Sequence, residues 1–171
     1  MRRALTEFLL IFICFLLQCT VFKWLSLGGI SPNLLLIVTA SCGFMMGDTA
    51  GLFTGLVCGL LVDIFFGDYI GLYGLFYMYI GFLDGKFSRI FYPEDIKLPL
   101  FLIFLSDITY GMFCYIALYL LQGKFELPYY FMKIIVPEAV YTILISVLLY
   151  PLLLLIHKRL SARERGIKDF V

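Results

Sequence analysis

Charge is scarce in this sequence, histidine nearly absent and any long polar stretch missing, and each lack removes a class of function. Only 15% of the 171 residues are Asp, Glu, Lys or Arg, against about a quarter in soluble domains. With 63% apolar residues and a mean hydropathy of +1.01, the chain reads as an integral membrane protein with no separate soluble domain. The single histidine, His157, stands beside Lys158 and Arg159, so no His-based metal cluster can form. Cys14, Cys19, Cys42, Cys58 and Cys114 are odd in number and show no CxxC spacing. That argues against a disulfide framework or zinc site and leaves them as small packing residues. No GxxxxGKS or GxxxxGKT loop is present to cradle ATP, and no GxSxG nucleophile turn. No enzyme, no cofactor and no nucleic-acid partner is expected.

Glycine, by contrast, is abundant and ordered. Gly43, Gly47, Gly51, Gly55 and Gly59 recur every fourth residue, Asp63 takes the next place, and Gly67 and Gly71 follow. Residues four apart share one helix face. Small residues on such a face let a second backbone approach closely inside a bilayer. Glycine is commoner in membrane helices generally, but five in register point to a built packing face. Gly47-Asp48-Thr49 looks like a break, with Asp48 or Thr49 able to cap the next helix. The secure row is Gly51, Gly55, Gly59 and Asp63. It serves helix packing within the bundle or contact with a partner.

Apolar runs and their breaks predict an all-α fold, a six-helix transmembrane bundle with spans at about 5–22, 32–46, 50–66, 70–86, 98–121 and 132–157. The opening Met1-Arg2-Arg3 and apolar run, with Leu16-Leu17-Gln18-Cys19, resemble a signal or lipoprotein box. Gln18 is too large beside a cleavage site, so an uncleaved first span is expected. The second span is short, with Pro32 placed for a first helical turn. Pro137 and Pro151 predict kinks in the sixth. With the N-terminus inside, Arg2, Arg3, Lys86, Arg89, Lys97, Lys158, Arg159, Arg163, Arg165 and Lys168 are cytoplasmic. Lys23, Lys124 and Lys133 are outside, in line with the positive-inside rule. The expected organisation is one membrane domain, 1–157, and a basic cytoplasmic tail, 158–171.

The acids within the spans are the groups that could carry chemistry. Asp107 falls near mid-membrane, where an ionised Asp costs about 2.5–3.5 kcal/mol on insertion scales. It should be neutral, hydrogen-bonded or facing internal water. Asp63 and Glu138 fall nearer the outer boundary and Glu7 and Asp84 nearer the inner one, where solvation is cheaper. Such acids suggest a proton relay or substrate site. The favoured reading has each carboxyl bonded to a Ser, Thr, Tyr or backbone group on a neighbouring helix, with Thr54, Tyr110, Tyr141, Thr142 and Ser146 among the candidate donors. Lys158, Arg159, Arg163 and Arg165 suit contact with anionic inner-leaflet lipid or a cytoplasmic partner. Tyr69, Tyr73, Tyr77 and Tyr79 read as interface belt and packing.

Taken together, these residues resemble the rod shape-determining MreD family. The likeness lies in Pro32-Asn33-Leu34-Leu35-Leu36, the row from Gly47 to Asp63, Gly71-Leu72-Tyr73-Gly74, and the pair Gly81 and Gly85. It extends through Pro137-Glu138-Ala139-Val140-Tyr141-Thr142 and Leu149-Tyr150-Pro151-Leu152. The strongly aromatic fourth span departs from the pattern. The resemblance implies a non-enzymatic subunit of the bacterial cell-elongation complex in the plasma membrane. It would bind an MreC-type single-span protein and link MreB filaments to RodA and its transpeptidase. It also implies a fold similar to the six-helix substrate-binding components of energy-coupling-factor vitamin transporters. The alternative is a small-molecule binding subunit of a transporter, for which Asp63, Tyr69, Tyr73 and Glu138 are conceivable linings. A proton-coupled transporter is a third reading, disfavoured by the short chain without an internal repeat.

Overall fold

The computed structural model describes residues 2–26, 29–67, 71–88, 96–120 and 127–168, with side chains for 5–26, 29–67, 71–88, 96–117 and 127–162. Helix α1 (Arg2–Cys19) leads into one short turn, α2 (Val21–Trp24). Then come α3 (Leu34–Met46), α4 (Asp48–Phe66), α5 (Leu72–Phe87) and α6 (Lys97–Cys114). A π-helical segment, Tyr115–Leu120, extends α6. The chain returns through α7 (Leu127–Tyr130) and a second π-helical segment, Phe131–Ile135, into α8 (Val136–Lys168). The described chain is an all-α bundle in which four stretches are long and apolar enough to cross a membrane: Leu5–Trp24, Asp48–Phe66, Lys97–Ala117 and Leu127–Ala162.

The shortest main helix is the most enclosed. The 13 residues of α3 rise only about 20 Å, less than the roughly 30 Å hydrocarbon core. It is apolar all round, and such a helix is stable only when surrounded. Leu34, Leu35, Leu36, Ile37 and Val38 are each at most 1% exposed, and α3 touches α1, α4, α5, α6 and α8. The bundle is organised around it.

Three boundaries differ from the sequence expectations. Asn33, not Pro32, starts α3: its Oδ1 accepts the Leu36 N–H at 3.2 Å, which places Pro32 before the helix. The break at Gly47 is present, but neither Asp48 nor Thr49 caps α4. Gly47 itself, at φ +97°, ends α3 and opens α4. Asp48 is the first helical residue and its Oδ1 accepts the Thr49 N–H at 3.0 Å. Lastly, α8 has no end at 157; its helix runs on to Lys168. Pro137 is its second residue, directly after the π-helical segment, where a missing N–H is most easily absorbed. Pro151 lies inside it.

Candidate functional site

The glycine row of α4 meets α5. A methyl at Gly51 would strike the Gly81 carbonyl, and one at Gly55 the Tyr77 carbonyl. At Gly59 it would lie 2.5 Å from the Tyr73 carbonyl oxygen and 2.6 Å from the Gly74 Cα. Helix α5 has small residues of its own at these points. A methyl on Gly81 would hit the Gly51 carbonyl, and one on Gly85 the backbone of Asp48. The two helices therefore meet backbone to backbone at four points over about three turns, the geometry that small-xxx-small faces permit. Gly74, Gly81 and Gly85 are spaced seven and four apart, a signal for a second small-residue face that was readable beside the first.

Asp63 closes the row and is 1% exposed. Its Oδ1 accepts the Tyr73 N–H at 2.9 Å and its Oδ2 the Gly74 N–H at 2.7 Å. These are first-turn amides of α5, which have no acceptor within their own helix. The carboxylate also meets the positive end of the α5 dipole. The expectation that Asp63 can be cheaply solvated near a boundary is thus corrected, since it is buried, while its bonding to backbone groups of a neighbouring helix agrees with the favoured reading of these acids. Asp84 is corrected likewise, 3% exposed and accepting the Ser106 hydroxyl at 3.1–3.2 Å across the α5–α6 contact. Of the donors anticipated for the acids, Tyr141 donates instead to the Leu25 carbonyl and Ser146 to the Ile143 carbonyl of its own helix.

A polar junction that the sequence reading missed lies at the start of α3. Asn33 Oδ1 accepts the Tyr77 hydroxyl at 2.8 Å as well as the Leu36 N–H, while its own N–H donates to Thr142 Oγ1 at 3.2 Å. The neighbouring Leu35 N–H donates to Gln18 Oε1 at 3.1 Å. One helix start thereby ties together α1, α5 and α8. The signal was the Ser31-Pro32-Asn33 cap itself, whose orphan amides required acceptors in a site without water.

Asp107 is different. It is 3% exposed, yet neither carboxyl oxygen receives a hydrogen bond. Thr142 stands beside it, outside hydrogen-bonding geometry, and half-buried Glu138 of α8 is within electrostatic reach. Lys158 and Arg159 are exposed on α8, while the Arg163 and Arg165 side chains lie outside the described residues. Tyr73 and Tyr77 are buried packing residues and Tyr79 is 59% exposed, facing outward; Tyr69 lies outside the described residues. No group of three or more His, Cys, Asp or Glu gathers as a metal site among the described residues.

The fold and these contacts define a multi-pass helical membrane protein in which Asn33, Asp63 and Asp84 join helices. The chain belongs to the family of rod shape-determining protein MreD, whose family model matches residues 1–160. It is thus a cell shape-determining membrane protein. Neither curated proteins nor solved structures give a significant match.

Proposed function

We propose that the chain is a non-enzymatic scaffold subunit of the bacterial cell-elongation complex. It binds an MreC-type single-span protein and connects MreB filaments with RodA and its transpeptidase. Both termini are cytoplasmic, the arrangement favoured by the distribution of basic residues. Lys158, Arg159, Arg163 and Arg165 contact anionic inner-leaflet lipid.

The observation that carries this reading is the use of the glycine row inside the bundle. Gly51, Gly55 and Gly59 meet α5, so the row builds a rigid platform and the partner meets other surfaces. Helix α1 offers one, with Leu5, Phe8, Leu9, Phe12, Ile13 and Leu16 each at least 45% exposed. A single-span protein and lipid are both suitable neighbours for such a surface.

Gentle affinity purification from native membranes, with mass spectrometry of co-eluting proteins, tests the proposal. A stoichiometric single-span partner with a large outer domain is expected. Recovery of ATPase subunits in its place would move the chain to the transporter reading.

A further inference from the structure

A cavity of about 340 Å³ opens at the end of the bundle away from the chain termini, between the end of α1, α2, and the facing ends of α4, α5 and α6. That volume falls within the range of roughly 300–1,000 Å³ typical of small-molecule sites. Gln18, Lys23, Ser31, Tyr73, Tyr77 and Tyr110 line it. Its chemistry is one-sided. Among the described residues of the lining, Lys23 is the one charged side chain. Gln18 gives its oxygen to the Leu35 N–H, which leaves its amide nitrogen to donate. Asp63, adjacent to the lining residue Val62, has both oxygens occupied by the Tyr73 and Gly74 amides. Among the described residues lining the cavity there is thus no acid, while Lys23 and the Gln18 amide nitrogen supply donors.

The opposite wall is aromatic. The Tyr110 ring lies 6.1 Å from Tyr73 and 5.4 Å from Tyr77 between centroids. Tyr77 is fully buried with its hydroxyl donated to Asn33, so it backs this wall, and the ring surface turned to the cavity is that of Tyr73 and Tyr110. Tyrosine clusters of this kind hold flat or apolar groups without much entropy loss.

We propose that this cavity binds one molecule that joins an anionic group, held by Lys23 and Gln18, to a planar or apolar body resting on Tyr73 and Tyr110. Of the linings considered for a transporter ligand from the sequence, Tyr73 is among these residues, while Lys23, Gln18 and Tyr110 were not assigned to a site. The scaffold role and this site are independent, so the shape-determining subunit carries a ligand of its own. The anion is either the headgroup of a lipid or a soluble molecule, and the two are separable.

The test uses the full chain in nanodiscs of neutral phosphatidylcholine, with phenyl phosphate as soluble probe and phosphatidylglycerol as lipid probe. Native mass spectrometry gives stoichiometry. Fluorescence of Trp24, the single tryptophan and the neighbour of Lys23, gives affinity. One probe should bind one-to-one and saturably, and which one identifies the source. Lys23→Gln and Tyr110→Leu should each weaken it about tenfold, the scale of one charge-assisted contact, while Lys23→Arg retains it. Lys23 is exposed, so its replacement leaves the fold intact. Absence of binding by both probes, wild-type affinity in Lys23→Gln, or equal competition by neutral benzyl alcohol would overturn the proposal. Capture of the single-span partner by Lys23→Gln reports on the scaffold role separately.

Discussion

Helices α4 and α5 touch through their backbones, whereas α1 rests on the bundle by a narrow face of Ile11, Cys14 and Phe15. The Phe15 ring lies 4.9 Å from that of Phe65 at the far end of α4. Leu10 and Cys19 pack beside this face and Gln18 bonds the Leu35 N–H of α3, but only 17% of the apolar window of α1 is buried against 39% for α4. In a bilayer, lipid tails are as apolar as leucine, so burial alone gives little drive for helices to associate. Close fit supplies it instead. The α4–α5 pair has that fit and α1 has less of it, so the closest packing lies in α4 and α5 while α1 keeps the larger outward apolar surface.

The largest predicted effect breaks the tight side. Gly59→Leu places a branched side chain where even a methyl lies 2.5 Å from the Tyr73 carbonyl oxygen. Backbone cannot move aside as a flexible side chain can, and overpacking costs about 1–3 kcal/mol even in adaptable cores. Most folded monomer should disappear on size-exclusion chromatography in mild detergent, and rod shape with it. Leu9→Ala on the open face of α1 should leave the monomer peak unchanged. If both variants behave alike, the contrast between the two regions is wrong.

Asp63→Ala comes next. It strips the acceptor from two buried amides of α5, and each unsatisfied donor costs about 1–3 kcal/mol. The thermal midpoint in detergent should fall clearly. Asp63→Asn keeps one acceptor oxygen and should fall about half as far. Equal midpoints for Ala and wild type would show that water reaches the start of α5.

How far these contacts were legible in the sequence depends on whether the signal was periodic. The six main helices and the row of Gly51, Gly55, Gly59 and Asp63 follow from spacing, which the helix repeat converts directly into faces. Which helix meets that face does not follow, because any small-residue face would serve. The role of Asp63 was hidden for a related reason. Its partners are the amides of Tyr73 and Gly74, and main-chain donors have no signature in side-chain identity. The Asn33 junction is the intermediate case, marked locally as a cap but with Tyr77 and Thr142 brought to it only by the fold. The continuation of α8 past 157 to Lys168 has no apolar period to announce it, although Arg and Lys are good helix formers.

Tyr77→Phe sharpens the comparison within the tight region. It removes the 2.8 Å hydrogen bond to Asn33 Oδ1 but leaves the ring, which is fully buried. Asn33 Oδ1 still accepts from the Leu36 N–H, so no acceptor is orphaned. The loss should be about 1 kcal/mol, that of one ordinary hydrogen bond, read as a small drop in thermal midpoint without loss of folded yield. A collapse as severe as that of Gly59→Leu would mean that polar ties, and not the glycine interlock, hold the bundle.

Asp107→Asn should have the smallest effect, although by position this is the acid deepest in the membrane. The carboxyl receives no hydrogen bond in the fold, so replacing it removes no contact that the structure makes. Asn has nearly the same volume and keeps one acceptor oxygen while gaining two donors. Thr142 beside it and Glu138 within reach give those donors somewhere to go. Stability should stay within about 0.5 kcal/mol of wild type, as for substitutions that break no named interaction, and rod shape should be kept. Folded protein with lost rod shape would give Asp107 a task beyond architecture. The looser α6–α8 side would then be a working site, and the tight α4–α5 pair the frame that holds it.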